Sequence, residues 1–230
     1  MSAIARPKKT KNANAATFDN SAESVPSWKK HGMEDIYYQR EAQMSFWTVL
    51  GGLAMAALLT QLPALWQEML NSRWYLILFL IASVFVIATS WVQTSWGSLV
   101  LKWPISIFTT VIMLFQMLVQ SVQCLLITKP AGWMAATAGI LLAALANQFY
   151  FSKSGSWVAF TSEDVKRFRQ ANLIYFLLLL ICIGAAFQMY VYPWRPAEIL
   201  WGIFALIFSI FALFLQHESM KKEKQELGIP

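Results

Sequence analysis

The amino-acid sequence predicts an all-α polytopic integral membrane protein with six transmembrane helices and both termini in the cytoplasm. Six long stretches carry no charged residue, namely 42–67, 74–101, 103–128, 130–152, 170–194 and 199–216. Each is about as long as a helix needs to cross a ~30 Å hydrocarbon layer, which takes roughly 20 residues. Composition agrees, because 57% of the 230 residues are hydrophobic and 13% are charged, against about 25% charged in a typical soluble domain.

The basic residues predict the orientation of these spans. They are concentrated in the N-terminal segment, in the second and fourth connections and in the C-terminal tail. The other three connections carry one basic residue each, Arg73, Lys129 and Arg195. Because cytoplasmic loops are enriched in lysine and arginine, this asymmetry predicts six crossings of a bacterial inner membrane with both termini inside.

Tryptophans mark the predicted span ends. The outer interface is predicted to hold Trp66, Trp74, Trp133 and Trp194, and the inner one Trp47, Trp96, Trp103 and Trp157. Amphipathic rings prefer the headgroup level, so these positions bracket the spans independently of hydropathy. Trp91 and Trp201 lie deeper in the spans, and we expect them to pack against other helices.

In chain order, residues 1–32 are predicted to form a disordered, polar and basic cytoplasmic tail. A membrane domain follows over 33–217, with spans at about 44–66, 74–96, 104–127, 131–151, 171–193 and 198–216. Residues 218–230 form a charged cytoplasmic tail. The longest connection contains a helix start that resembles a capping box, Thr161-Ser-Glu-Asp164, and predicts a short cytoplasmic helix at about 161–170. Its basic side chains are expected to contact lipid headgroups or a cytosolic partner: Lys166, Arg167 and Arg169.

Small residues suggest where helices approach closely. Gly52 and Ala56 in span one, and Gly139 and Ala143 in span four, share a four-residue spacing that favours helix packing in membranes. The surrounding Gly, Ala, Ala, Leu and Gln recur at identical spacing in the two spans. This similarity indicates either an inverted repeat of three plus three spans, as in many transporters, or coincidence within a small apolar alphabet.

Glutamine is the characteristic polar residue of the spans. We expect the following to form interhelical hydrogen bonds or to line a path: Gln61, Gln93, Gln116, Gln120, Gln123, Gln148 and Gln188. The three in span three are spaced i, i+4 and i+7, which places them on one helical face. Because an amide in hydrocarbon needs partners for its donors and its acceptor, that face is predicted to point at other helices.

Few residues here suit catalysis or cofactor binding. No HExxH, GxSxG or Walker pattern occurs, and the two histidines, His31 and His217, lie in the tail and at the inner end of span six. We therefore expect no enzyme activity, no catalytic residues, no metal, no cofactor and no nucleic-acid partner. Cys124 and Cys182 lie within apolar spans and are expected to be buried, unpaired apolar residues.

Three functional hypotheses follow. The first is a non-catalytic subunit or assembly partner of a larger inner-membrane complex, such as a secretion or conjugation machine, with lipids and other subunits or a second copy as partners. The second is a small channel or transporter for an uncharged solute. The third is a lipid- or quinone-handling enzyme. Ion-coupled transport normally needs a carboxylate at midplane, whereas Glu198 lies near the outer start of span six and is expected to pair with Arg195.

Overall fold

The computed structural model describes residues 27–99, 107–154 and 162–226, together with the short turns between their helices. These residues form six helices and no strand: α1 Ser27–Leu70, α2 Leu76–Leu99, α3 Ile107–Leu125, α4 Pro130–Ser154, α5 Ser162–Val191 and α6 Arg195–Glu226. In segments that border the gaps only the backbone is described. The prediction of an all-helical protein is confirmed for the described part of the chain.

Five helices contain apolar segments long enough to cross a membrane: Met44–Leu70, Leu76–Gln93, Pro130–Tyr150, Asn172–Val191 and Arg195–Glu218. The apolar part of α3, Thr110–Leu125, is shorter. A bundle with several such helices is a multi-pass membrane protein, because helices satisfy every backbone hydrogen bond internally in lipid. The sixth crossing and the orientation of the termini stay predictions.

The chain divides into two units, Met1–Tyr38 and Gln39–Pro230. Most of the tail predicted at 1–32 lies outside the described residues, whereas 27–32 belong to α1. The helix predicted at about 161–170 forms the first turns of α5, which begins at Ser162 and continues into the apolar segment. The side chains of Lys166, Arg167 and Arg169 lie outside the described part.

Helix α4 occupies the centre of the bundle. It packs closely on α5 and on α3, and α2 packs closely on α6, whereas α1 approaches no helix backbone to a comparable extent. Over the apolar segments, 56% of α4 is buried, against 22% of α1 and 17% of α6. The close α4–α5 pair has no counterpart between α1 and α2, so this contact does not support the repeat of three plus three spans.

Glycines mark the closest helix contacts. A Cβ atom built on Gly139 of α4 would lie 3.0 Å from Cγ1 of Val119 on α3, and one on Gly202 of α6 would lie 3.0 Å from Cε2 of Phe79 on α2. Only a residue without a side chain allows the side chains of a neighbouring helix this close to its backbone. Ala143 is also buried, so the span-four packing candidates lie in helix contacts.

The span-one packing candidates behave differently. Gly52 and Ala56 are both exposed, and a Cβ atom on Gly52 would meet nothing within 4 Å. Neither residue therefore lies in a contact between the described helices, and their role in helix packing stays a prediction. The two small residues face outward because α1 is rotated so that Trp47 and Leu50 pack against Met113 of α3.

Candidate functional site

The end of α1 is shaped to present an arginine. The amide of Arg73 donates to the carbonyl of Glu68 (3.1 Å), and the amide of Ser72 donates to that of Met69 (3.2 Å). These two bonds form a Schellman motif, whose C′ residue adopts the left-handed conformation. Ser72 has φ 71°, the only positive value among described non-glycine residues. The motif directs Arg73 back over the helix end.

Arg73 is the centre of a polar cluster that joins four parts of the chain. Its Nη1 donates to Glu68 Oε2 (3.1 Å) and to the carbonyl of Thr128 (3.3 Å), and its Nε donates to the Tyr75 hydroxyl (3.0 Å). Its Nη2 lies 3.5 Å from Glu198 Oε2. The Tyr75 hydroxyl donates to the same carboxylate oxygen. Glu198 therefore pairs with Arg73, and the expected pairing with Arg195 is corrected.

Burial shapes the electrostatics of this cluster. It raises the pKa of Tyr75, and the hydrogen bond to Glu198 raises it further, whereas Arg73 lowers it. Burial also opposes the charge on Arg73, but its bonds to Tyr75 and Glu68 outweigh that effect and raise the pKa of Arg73. Glu198 additionally lies in the first turn of α6, where a negative charge is favoured by the helix dipole. Each charged side chain of the cluster therefore has a partner. The cluster links the end of α1 to the starts of α2 and α6.

A second polar network runs through the bundle interior. Nε2 of Gln123 on α3 donates to Oγ1 of Thr137 on α4 (2.7 Å), which donates to the carbonyl of Trp133 (2.9 Å). Nε1 of Trp133 donates to Oγ of Ser83 on α2 (2.8 Å), and that hydroxyl donates to the carbonyl of Phe79 (2.8 Å). These side chains are buried. One chain of hydrogen bonds thus fixes three helices.

The remainder of the glutamine face on α3 is also packed. Gln120 is 1% exposed and Gln123 is fully buried. The amide nitrogen of Gln120 and the amide oxygen of Gln123 have no partner among the described residues. The two residues are spaced i, i+3, which makes them neighbours on the helix surface.

The other predicted glutamines are distributed over the bundle. Gln188 on α5 is exposed, and its Oε1 accepts from Nε1 of Trp201 on α6 (3.0 Å). Gln61 and Gln148 are half-buried, and Oε1 of Gln148 has no partner in the described part. The side-chain amide of Gln216, oriented to satisfy both of its atoms, donates to the backbone carbonyl of Thr89 at 3.2 Å and accepts from the backbone N–H of Gln93 at 2.7 Å.

A cavity of about 100 Å³ is lined by residues of α2, α3, α4, α5 and α6. Gln93 of α2 and Gln116 of α3 line it, whereas the buried pair Gln120 and Gln123 does not. Most of the wall is apolar. The structure therefore separates the three glutamines that the sequence placed on one face: the first reaches the cavity and the other two lie in the packed interior.

Several tryptophans depart from their predicted surroundings. Trp133 and Trp47 are each 1% exposed, so they turn into the bundle and not toward headgroups. Trp91, expected to pack, is 47% exposed. Trp66 and Trp194 are exposed at helix ends, as ring anchors at an interface would be.

Sequence reasoning missed several residues of these networks. Ser83, Thr137 and Tyr75 gave no periodic signal, because isolated hydroxyl residues are common in membrane helices and their partners come from other helices. Both cysteines are buried and free. No protein-family model matches this chain, and comparisons with curated proteins and with solved structures return no significant match.

Proposed function

We propose that this chain is a non-catalytic integral membrane subunit, or an assembly partner, of a larger complex in a bacterial inner membrane. The observation that carries the proposal is the packing of the glutamine face of α3. Gln123 bonds to Thr137, and Gln120 is buried beside it. Side chains of this kind stabilise contacts between helices, which is the chemistry of assembly.

The same observation counts against a channel for an uncharged solute. Such a channel requires the glutamine face to border one continuous polar cavity. Only Gln116 of that face lines the cavity, and its wall is mainly apolar. The polar groups of α3 are thus used mostly for holding helices together.

We propose that the partner contacts the outward face of α1. Gly52 and Ala56 are exposed one helical turn apart, beside the exposed side chains of Val49 and Leu53. Lipid chains gain little from contact with such small residues, whereas a second transmembrane helix can approach their backbone closely. Helix α1 is also the span with the least backbone contact to its own bundle. We therefore propose a transmembrane helix of another subunit as the occupant.

The proposed topology has six crossings with both termini inside. Helix α3 contains 19 residues, about 28 Å at 1.5 Å per residue, which supports a sixth crossing of a thin bilayer. Lys129 lies in the turn between α3 and α4 and Arg195 at the start of α6, both at helix ends that this topology places outside. Reporter fusions after Glu226 test it, since a cytoplasmic reporter such as green fluorescent protein fluoresces only if the C terminus lies inside.

The proposed function is tested by purification of the tagged full chain in a mild detergent. We expect other membrane proteins to co-purify in fixed ratio, and Gly52→Leu to abolish their recovery. Gly184→Leu on α5 is the matched control, because a Cβ atom there also meets nothing within 4 Å. Recovery of the chain alone, or only of further copies of itself, contradicts the proposal. Equal loss with both variants contradicts the placement on α1.

A further inference from the structure

The wall of the cavity contains polar groups that the fold does not use. The side chains of Gln93 on α2, Gln116 on α3 and Tyr175 on α5 line it. None of the three makes a side-chain hydrogen bond to another described residue. In surroundings of low dielectric an unpaired amide or hydroxyl is unfavourable. Three such groups from three helices therefore favour an occupant that can form hydrogen bonds.

The remainder of the wall limits the charge of that occupant. Val86, Ile140 and Leu141 contribute aliphatic surface, and Phe204 and Phe208 contribute aromatic rings. No Asp, Glu, Lys or Arg from the described residues lines the cavity. An ion would lose its hydration there without gaining a counter-charge. The occupant must be uncharged.

The volume limits its size. The cavity measures about 100 Å³ and is partly open, whereas an enclosed apolar protein cavity of about 150 Å³ accepts benzene. The occupant is therefore at most one small ring, held between the aromatic side chains of α6 and the polar groups of α2, α3 and α5, with part of it at the opening. Pockets of this kind, apolar with a few convergent polar groups, bind small ligands and orient them through those groups.

We infer that this cavity is a binding site for an uncharged, ring-sized molecule that carries a hydrogen-bonding oxygen, the chemistry of phenol. Its ring would contact Phe204 and Phe208, and its hydroxyl would form hydrogen bonds both with the amides of Gln93 and Gln116 and with the Tyr175 hydroxyl. This site is independent of the proposed assembly role, because residues of α2 to α6 line it and the assembly face lies on α1.

Cys182 offers a local measurement of occupancy. Its thiol belongs to the cavity wall and is 4% exposed, so a reagent reaches it through the cavity. In the full chain carrying Cys124→Ala, methyl methanethiosulfonate would modify Cys182 alone. We expect phenol to slow this modification several-fold and to raise the melting temperature. Toluene, which has the same shape without the oxygen, should have a much smaller effect on both.

Single substitutions test which polar side chains bind the phenol oxygen. Tyr175→Phe and Gln116→Leu should each weaken phenol binding about tenfold, the loss expected for one hydrogen bond in such a site. Tyr190→Phe is the matched control on the same helix, because Tyr190 is 81% exposed and does not line the cavity. It should leave phenol binding unchanged.

Three results overturn the inference. Equal protection by toluene and phenol means that the cavity takes plain hydrocarbon, such as a lipid chain. Absence of both protection and a shift in melting temperature means that it binds neither. Unchanged phenol binding in Tyr175→Phe and Gln116→Leu removes the polar groups from the site. If Cys182 does not react at all, the melting temperatures of the same proteins decide between these results.

Discussion

Helices α4 and α1 differ in how far they are packed against the other helices. Helix α4 is buried over 56% of its apolar segment and touches neighbours through Gly139 and Ala143. Helix α1 is buried over 22% and presents its own small residues, Gly52 and Ala56, to the outside. The same sequence signal, small residues four apart, thus describes an internal contact in one helix and an open face in the other. Spacing predicts that a helix can be approached closely, and only packing decides by what.

The largest expected effect comes from the two glycines. In Gly139→Leu the new Cβ atom alone would lie 3.0 Å from Cγ1 of Val119, before the remainder of the side chain is placed. Overpacking of this kind lowers the free energy of unfolding by about 1–3 kcal/mol. Gly52→Leu meets open space and should change the free energy of unfolding by less than about 0.5 kcal/mol. Denaturation with sodium dodecyl sulfate in mixed micelles measures both. Similar decreases in the free energy of unfolding for the two variants would contradict the difference in packing between α4 and α1.

The next effect concerns the C-terminal end of α1. Arg73→Met leaves Glu198 without its cation, and Glu198 is 13% exposed. Breaking a fully buried pair costs about 3–5 kcal/mol, and because Arg73 is 25% exposed, solvent screening reduces this to about 1–2 kcal/mol. Thermal unfolding should show the loss. The double variant Arg73→Met with Glu198→Gln should recover part of it, and failure to recover would mean that packing of the arginine chain dominates.

A smaller effect separates the two buried glutamines. Gln123→Leu removes the bond to Thr137 and should destabilise by about 0.6 kcal/mol, a typical value for a hydrogen bond between membrane helices. Gln120→Leu removes an amide whose nitrogen has no partner among the described residues, so it should be neutral or stabilising. The two unfolding free energies are compared in the same detergent. A larger loss at Gln120 would indicate that a partner subunit or ordered water uses its amide.

The smallest effect is expected at Ser72, where α1 ends. Its φ of 71° costs a non-glycine residue about 1–2 kcal/mol, and glycine offsets part of that gain by about 0.5–1 kcal/mol of extra chain entropy. Ser72→Gly should therefore stabilise the protein by about 0.5 kcal/mol. Ser72→Ala, measured by the same thermal unfolding, keeps the strain and should not stabilise. A loss of stability with glycine would show that the serine hydroxyl matters more than the backbone.

Helix positions were predictable because hydropathy and charge act locally. Predicted spans 44–66 and 131–151 fall within α1 and α4, since each needs only a run of apolar residues and a charged or capped end. The pairing of Glu198 was not predictable. Arg195 is its neighbour in sequence, but Tyr75 and Arg73 reach it from another helix end.

The cavity could not be predicted either. Its polar lining comes from single residues on different helices, such as Gln93 and Tyr175. Neither residue alone indicates a binding site in the sequence. The helical face shared by the span-three glutamines was predicted, and its division into a cavity residue and two packed residues was not. That division depends on how α4 and α2 pack against α3.

The sequence by itself determined that this protein is a multi-pass helical membrane protein, because the absence of charge over long runs makes lipid the favoured surroundings whatever the helices later contact. Only the tertiary structure decided which helix is central, which glutamines are bonded and which small residues remain exposed. The reason is that lipid and the interior of a membrane protein are equally apolar. Hydropathy therefore places a helix in the membrane but does not choose its inward face, and hydrogen bonds and close packing between helices make that choice.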